Sequence, residues 1–368
     1  MKTFLLVALP VVAVAVAAAR GSDPLPSPPP FAEMLTREGT RGWSALRERA
    51  SPLRIQVPSP VALSGNGGGS GRGPAVARGV APRFFFAGNG HLRLAHAHFG
   101  TTLDVRYRRA DGTYDADTLR QIQRFFRSRE DGREGPISLR LVELLAYVED
   151  RFHPQQLTLL SGYRSPEFNE DLRAAGGQAA QTSLHTQGLA ADVALSGVNL
   201  ARAWRQLREL RTGGAGYYRK GNFLHLDTGP PRFWEETTSR VSENLSAGNA
   251  RIFVQTDFDR YPTIEGAVLS VYSVTAFPLL VAAQAHVVGP RGGSKITLEP
   301  VGNGIERRDD CLAITAPADA YQVRVVRSEP EAESRSDERP HVLIATCEPR
   351  IERTPLEVVS NPIEVMHR

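Results

Sequence analysis

Two short segments constrain this chain most, because each places titratable side chains within an otherwise apolar alternating run. The first is Ser183-Leu184-His185-Thr186-Gln187-Gly188-Leu189-Ala190-Ala191-Asp192. The second, Phe223-Leu224-His225-Leu226-Asp227, carries its histidine 33 residues beyond Asp192. If Ala190 to Leu195 is a strand, its period of two turns Asp192 away from Ala191, Val193 and Leu195. In the second segment Phe223, His225 and Asp227 share one face, and Leu224 and Leu226 share the other. Each strand can then bury its aliphatic face and aim an imidazole or carboxylate at a cleft, with Gly188 supplying the turn that brings His185 alongside. Two imidazoles and a carboxylate are ligand types of a catalytic zinc site, which takes three protein ligands and keeps one position open. His185, Asp192 and His225 are the candidate ligands.

The surrounding pattern predicts mixed helix and strand. Alternation from Phe84 through Leu92-Arg93-Leu94 and Leu103-Asp104-Val105-Arg106-Tyr107 suggests a hairpin or two short strands. Leu119, Ile122, Phe125 and Phe126 form a helical face after Asp115, a candidate N-cap, and Leu139, Val142, Leu145 and Val148 form another before Pro154. A strand at Gln156 to Leu160, a turn at Ser161-Gly162 and a helix after Pro166 follow. Asn199 caps a helix bearing Leu200, Ala203, Trp204, Leu207 and Leu210, which ends before Gly213-Gly214. Further strands are expected at Ala215 to Tyr218 and Asn222 to Asp227. Beyond Arg240 the sequence turns to short β-rich runs, at Arg251 to Thr256, Ala267 to Val274, Leu279 to Val288, Tyr321 to Val326 and His341 to Ala345. The charged run Ser328 to Pro340 reads as a solvated loop.

At 368 residues and 41% hydrophobic content the chain can hold two domains. Its net charge of +4 is small, and its arginines are scattered instead of forming a basic block, which argues against nucleic-acid binding. The sequence pI of about 9.2 could favour loose contact with an anionic polymer such as a cell wall. Lys2, the apolar run from Phe4 to about Ala18, and the small residues Ala17 and Ala19 read as a secretory signal peptide over 1–19, too short for a membrane span. A soluble periplasmic or secreted product follows. The stretch 20–83, with Pro28-Pro29-Pro30 and Gly65-Asn66-Gly67-Gly68-Gly69-Ser70-Gly71, has too little apolar surface to offset ordering entropy and reads as a disordered linker. In an exported chain the two cysteines, Cys311 and Cys347, are expected to bond to each other, with two buried thiols as the alternative.

Four pieces in order, Ser161-Gly162-Tyr163-Arg164-Ser165-Pro166, His185 to Asp192, Gly216-Tyr217-Tyr218 and His225-Leu226-Asp227-Thr228-Gly229, resemble the zinc D-alanyl-D-alanine peptidase superfamily, in its murein endopeptidase K-like branch. The resemblance covers Phe84 to Trp234. It implies zinc held by His185, Asp192 and His225, and hydrolysis of peptide bonds in the stem or cross-link of peptidoglycan, the expected partner. With the element pattern, this gives an expected α+β fold: a zinc peptidase domain at 84–240, with a small antiparallel sheet flanked by helices, and then, from the short β-rich runs alone, a sandwich-like domain at 241–368. A fragment from Phe84 to about Arg240 is expected to fold and bind zinc alone.

Many superfamily members carry a proton-accepting glutamate three residues before the last histidine, or a histidine two before it. This chain has Asn222 and Phe223 there. Asp227 is the substitute, either as general base or as a carboxylate that orients His225, and Glu167 is the next acid to consider. Arg164 matches the superfamily's substrate arginine, against a role fastening its turn to a neighbouring acid. Ser183 either contacts substrate or caps its loop. Tyr217 is the candidate cleft tyrosine, although it and Tyr218 can equally pack on the sheet. His91, His96 and His98 read as surface strand residues. Trimming of terminal D-amino acids, or zinc-holding peptidoglycan binding without turnover, are the alternatives to an endopeptidase. The metal reading requires the ligating atoms of His185, Asp192 and His225 to surround one point.

Overall fold

The computed structural model describes residues 83–175, 183–238, 252–273, 281–290, 292–302, 305–314, 320–331, 339–347 and 355–366. These belong to one compact unit, Arg47–Arg368. The leader, nearly all of the Pro/Gly-rich segment and the boundary near Arg240 lie outside the described residues. Among those described, no helix is long and apolar enough to cross a membrane.

The N-terminal part opens with β1 (His91–His96) and β2 (Thr102–Arg106), an antiparallel pair. Helix α1 (Ala116–Phe125) starts where the Asp115 carboxylate accepts from the Thr118 amide, and it buries Leu119, Ile122 and Phe125. That cap is worth about 1 kcal/mol. Helix α2 (Leu139–Phe152) buries Leu141, Val142, Leu145 and Val148 and ends at His153, which takes a left-handed conformation just before Pro154. There follow β3 (Leu157–Ser161), α3 (Pro166–Ala174), a 3-10 turn at Leu184–Gln187, and β4 (Ala190–Leu195). Helix α4 (Leu200–Leu210) is capped by Asn199 and pinned to the next strand by a Trp204 Nε1–H bond to the Ala215 carbonyl at 3.0 Å. Then come β5 (Gly214–Tyr218), β6 (Phe223–Asp227) and β7 (Arg232–Glu235).

These strands form one seven-stranded sheet in the order β2-β1-β3-β4-β6-β5-β7. The α+β class holds, but the expected small antiparallel sheet is replaced by a larger mixed one. β1 runs parallel to β3, and β5 runs parallel to β7. Each parallel pair needs a crossover between its strands. α1 and α2 lie between β1 and β3, whereas the crossover from β5 to β7 is made by β6. Ala191, Val193, Leu195, Ala215, Leu224 and Leu226 are all buried in the same cluster as Leu200, Ala203, Trp204 and Leu207 of α4. The opposite face of β4 and β6 carries Asp192, His225 and Asp227.

Beyond residue 252 lie β8 (Ile252–Thr256), β9 (Arg260–Tyr261), β10 (Val268–Ser273), β11 (Val281–Val288), β12 (Gly293–Val301), β13 (Ile305–Arg308), β14 (Cys311–Ile314), β15 (Ala320–Glu331), β16 (His341–Thr346), β17 (Glu357–Val359) and β18 (Glu364–Val365). Nine of them make a branched sheet in which β11 pairs with β12, β14 and β16. The Cys311–Cys347 disulfide is formed, tying β14 to the end of β16. β12 to β14 were not anticipated. The expected loop from Ser328 is also corrected: Ser328 to Glu331 continue β15, because pairing with β12 through Gly293↔Glu331 outweighs their charge. Residues 332–338 lie outside the described residues.

The β-rich region is not separate from the first sheet. Phe84 packs on Phe258 in a tilted arrangement with ring centroids 5.4 Å apart, and both regions contribute to one buried apolar cluster. Arg140 of α2 pairs with the buried Asp259 and donates to the Thr256 carbonyl at 2.8 Å, while the Phe85 amide donates to Asp259 Oδ2 at 2.9 Å. A smaller cluster joins Leu184, Leu189 and Ala190 to Phe253 and Tyr272, and Gln255 donates to the Thr228 carbonyl. The β-rich region thus braces the segments that carry His185 and follow Asp227. Arg140→Ala leaves Asp259 buried without its cation and should lower unfolding free energy by about 3–5 kcal/mol, read from a denaturant midpoint. A chain ending at Arg240 uncovers Leu184 and is expected to melt lower and bind metal more weakly than the full chain; equal values in both assays would show that the bracing is inert.

Candidate metal centre

The centre is a row of residues laid across five strands. Strand register sets Ser161 opposite Asp192, Asp192 opposite His225, His225 opposite Gly216, and Gly216 opposite Trp234. Directly opposed residues project from the same face. The helix face carries the aliphatic residues between them, so the polar row is held flat by the packing beneath it.

His185 reaches this row from the 3-10 turn. Ser183 Oγ accepts from the His185 amide at 3.4 Å at its start, and Gly188 closes it with φ of +66°. A Cβ on Gly188 would lie 1.9 Å from the Pro136 carbonyl oxygen, so glycine is required sterically as well as conformationally. Buried His185 donates from Nδ1 to the Gly162 carbonyl at 2.7 Å, which leaves the Nε2 lone pair facing inward. Burial, reinforced by the nearby Arg164 cation, pushes the His185 pKa down to about 4, so the ring is neutral at pH 7.

His185 Nε2, Asp192 Oδ1 and His225 Nδ1 converge. Their separations are 3.3 Å between the two nitrogens, 3.4 Å from His185 to Asp192, and 2.9 Å from His225 to Asp192. Tetrahedral ligands about 2.0–2.1 Å from one ion stand about 3.3–3.4 Å apart, so the donor set and spacing fit a metal of zinc's size with little rearrangement. Among the described residues this is the grouping able to hold a metal ion.

Asp227 is fully buried and fully engaged. Oδ1 accepts from the Gly214 and Gly229 amides at 3.1 and 2.8 Å and from Arg232 at 3.2 Å. Oδ2 accepts from Arg232 at 2.7 Å and from His225 Nε2 at 3.0 Å. Burial opposes its ionisation, but Arg232 and the His225 hydrogen bond outweigh burial and hold the carboxyl well below the usual carboxylate range. Asp227 therefore contacts the edge of His225 opposite the ligating nitrogen. This geometry is the one the orienting alternative requires.

Arg164 has the contacts of its fastening alternative. Its guanidinium donates from NH2 to Asp192 Oδ2 at 2.7 Å and from Nε to Ser161 Oγ at 3.0 Å, and it is largely buried. It fastens Asp192 so that Oδ1 faces the histidines. Burial would raise the Asp192 pKa, yet His185, His225 and Arg164 together hold it well below normal. Ser183 takes the capping role. Tyr217 pairs with Leu224 and packs 6.2 Å from Trp204, on the helix face away from the row, as in the sheet-packing alternative. Tyr218 is on the row's face, stacked on Phe223 at 4.5 Å. Glu167 is exposed and bonded to Arg133 at 2.8 Å. His96, expected at the surface, is buried against Phe99 and Phe125.

The sequence reading missed Gly162, Arg232 and Trp234. Gly162 acts through its carbonyl, which carries no side-chain signal, whereas Arg232 had a local cue five residues after Asp227. Trp234 is reached only through the parallel pairing of β5 with β7.

Residues 87–234 match the family described as peptidoglycan L,D-endopeptidase MepK. The peptidoglycan L,D-endopeptidase MepK of Escherichia coli K12 is 33% identical over 144 residues, covering 39% of this chain and 79% of that protein. A protein of the same name from Shigella flexneri shows the same identity and coverage. A probable peptidoglycan L,D-endopeptidase MepK from Haemophilus influenzae is 39% identical over 80 residues, covering 22% of this chain and 43% of that protein. No solved structure gives a significant match.

Asp227→Asn keeps the side-chain shape but turns an amide N–H group toward one of its donors. Metal affinity should fall about 10–100-fold in a folded protein, measured by competitive titration against a chelating dye. Unchanged affinity with lost turnover would instead return Asp227 to the role of base.

Proposed function

Since the chain belongs to the peptidoglycan L,D-endopeptidase MepK family, we propose that it is a zinc-dependent peptidoglycan hydrolase cutting an internal peptide bond in the stems or cross-links. The observation that carries this reading is the convergence of His185 Nε2, Asp192 Oδ1 and His225 Nδ1, each on a side chain braced by a further partner. Zinc bound there would supply a water of lowered pKa and polarise the scissile carbonyl.

The chain's own residues supply orientation. The Gly162 carbonyl sets the His185 tautomer, Asp227 sets that of His225, and Arg164 turns one Asp192 oxygen toward both rings. Three ligands held this way leave one position for water and substrate. Asn222 and Phe223 occupy the positions of the familiar proton acceptors, and Phe223 stacks on Tyr218, so proton transfer here does not use those positions. Peptidoglycan lies outside the cytoplasmic membrane, so this function requires export. The run from Lys2 to Ala19 is proposed as the leader, with a periplasmic or secreted product.

The test is digestion of purified sacculi with the mature protein, with products identified by mass. New low-mass muropeptides from internal cuts are expected, lost on chelation and restored by zinc. Release of terminal D-amino acids alone would mark a carboxypeptidase, and retained zinc without any product would mark a binding protein.

A further inference from the structure

Gly216 leaves a gap in the row beside His225, and Trp234 fills it. A Cβ on Gly216 would lie 2.4 Å from indole Cε2, so the tryptophan lies over the bare backbone of β5 and reaches back toward β6. Its ring centroid is 5.2 Å from that of His225. Indole Nε1–H donates to the Tyr218 hydroxyl at 3.1 Å, and Tyr218 in turn stacks on Phe223 with the rings 5° from parallel. Arg232, bonded to both Asp227 oxygens, stands 5.5 Å from the indole centroid. Trp234, Tyr218 and Phe223 all remain partly exposed. The two sides of the ligand triad therefore differ: Arg164, Ser161 and Asp192 make a polar side toward β3, and the three rings make an apolar wall toward β7.

Consecutive residues of an extended peptide advance about 3.3–3.6 Å. A substrate whose scissile carbonyl lies at the triad must thus bring the side chain of an adjoining residue against one of these sides. We propose that Trp234 is a specificity-determining residue, its indole wall receiving the aliphatic side chain of the substrate residue that adjoins the cut bond on the β7 side. This rests on the endopeptidase reading. An aromatic ring offers a large rigid apolar surface, and the longer the alkyl chain laid on it, the greater the gain. In such pockets a methylene changes discrimination about 10–200-fold at most.

The test compares full-length zinc-loaded wild type, Trp234→Ala and Trp234→Phe on two synthetic L,D-linked peptides. One carries a methyl and the other a four-carbon chain on the residue beside the cut bond. Trp234→Ala should raise KM about tenfold or more for the long-chain peptide and much less for the methyl peptide, with kcat and zinc content close to wild type. Trp234→Phe should recover most of the loss. Calorimetric binding of an uncleavable long-chain analogue should weaken in parallel, which reads the wall independently of turnover. Equal losses on both peptides together with lost zinc would show that Trp234 only supports His225, and that overturns the proposal. Unchanged kinetics and binding in Trp234→Ala overturn it as well. If wild type binds the analogue through Trp234 yet cuts neither peptide, the wall stands and the endopeptidase reading falls.

Discussion

The centre depends on the antiparallel register of β4 and β6. Setting Asp192 opposite His225 brings a carboxylate and an imidazole within 2.9 Å, using only strand pairing. A slip of one residue would turn His225 into the helix face and Leu224 or Leu226 into the cleft. The aliphatic side chains of both strands prevent that slip, since each is buried in the core that α4 also joins. Burying a side chain of that size contributes roughly 1.5–3 kcal/mol. The apolar face thus holds the register that the polar face uses.

Two buried carboxylates beside two imidazoles would be costly without cations and donors. Each has an arginine: Arg164 for Asp192 and Arg232 for Asp227. Arg164 binds the Asp192 oxygen that faces away from the histidines, and Arg232 binds Asp227 behind His225, so each stabilises its anion from outside the ligand point. The backbone completes the arrangement through Gly162, Gly214 and Gly229. His225 is drawn in two directions. Burial lowers its basicity, whereas hydrogen bonds to Asp192 and Asp227 more than compensate and raise it. A metal must compete with a proton for that nitrogen.

The β-rich region lies beyond the stretch matched by the family, yet it is built into the support of the centre. Phe253 and Tyr272 share a buried cluster with Leu184, the residue before His185, and Gln255 donates to the carbonyl of Thr228, just after Asp227. Two of the three segments that form the centre therefore rest on residues outside the matched stretch.

Local pattern was enough to place α1, α2, α4 and most strands, because caps at Asp115 and Asn199 and the spacing of buried side chains are encoded within a few residues. The grouping of candidate ligands was also legible, since Asp192 and His225 stood on strands whose other face was aliphatic and Gly188 marked the turn beside His185. Residue roles around that set were not. Asp227 and Arg164 carry the same chemistry whether they meet substrate or brace a ligand, and only strand register and turn geometry decide which. Tyr217 and Tyr218 are neighbours in sequence, and alternation sends just one of them to the cleft. The sequence by itself determined which side chains could bind a metal and which faces would be buried, because both follow from residue type and period. The tertiary structure alone decided the mixed sheet order, the seating of Trp234 over Gly216 and the partners of each ligand, because these depend on pairings between segments far apart in the chain.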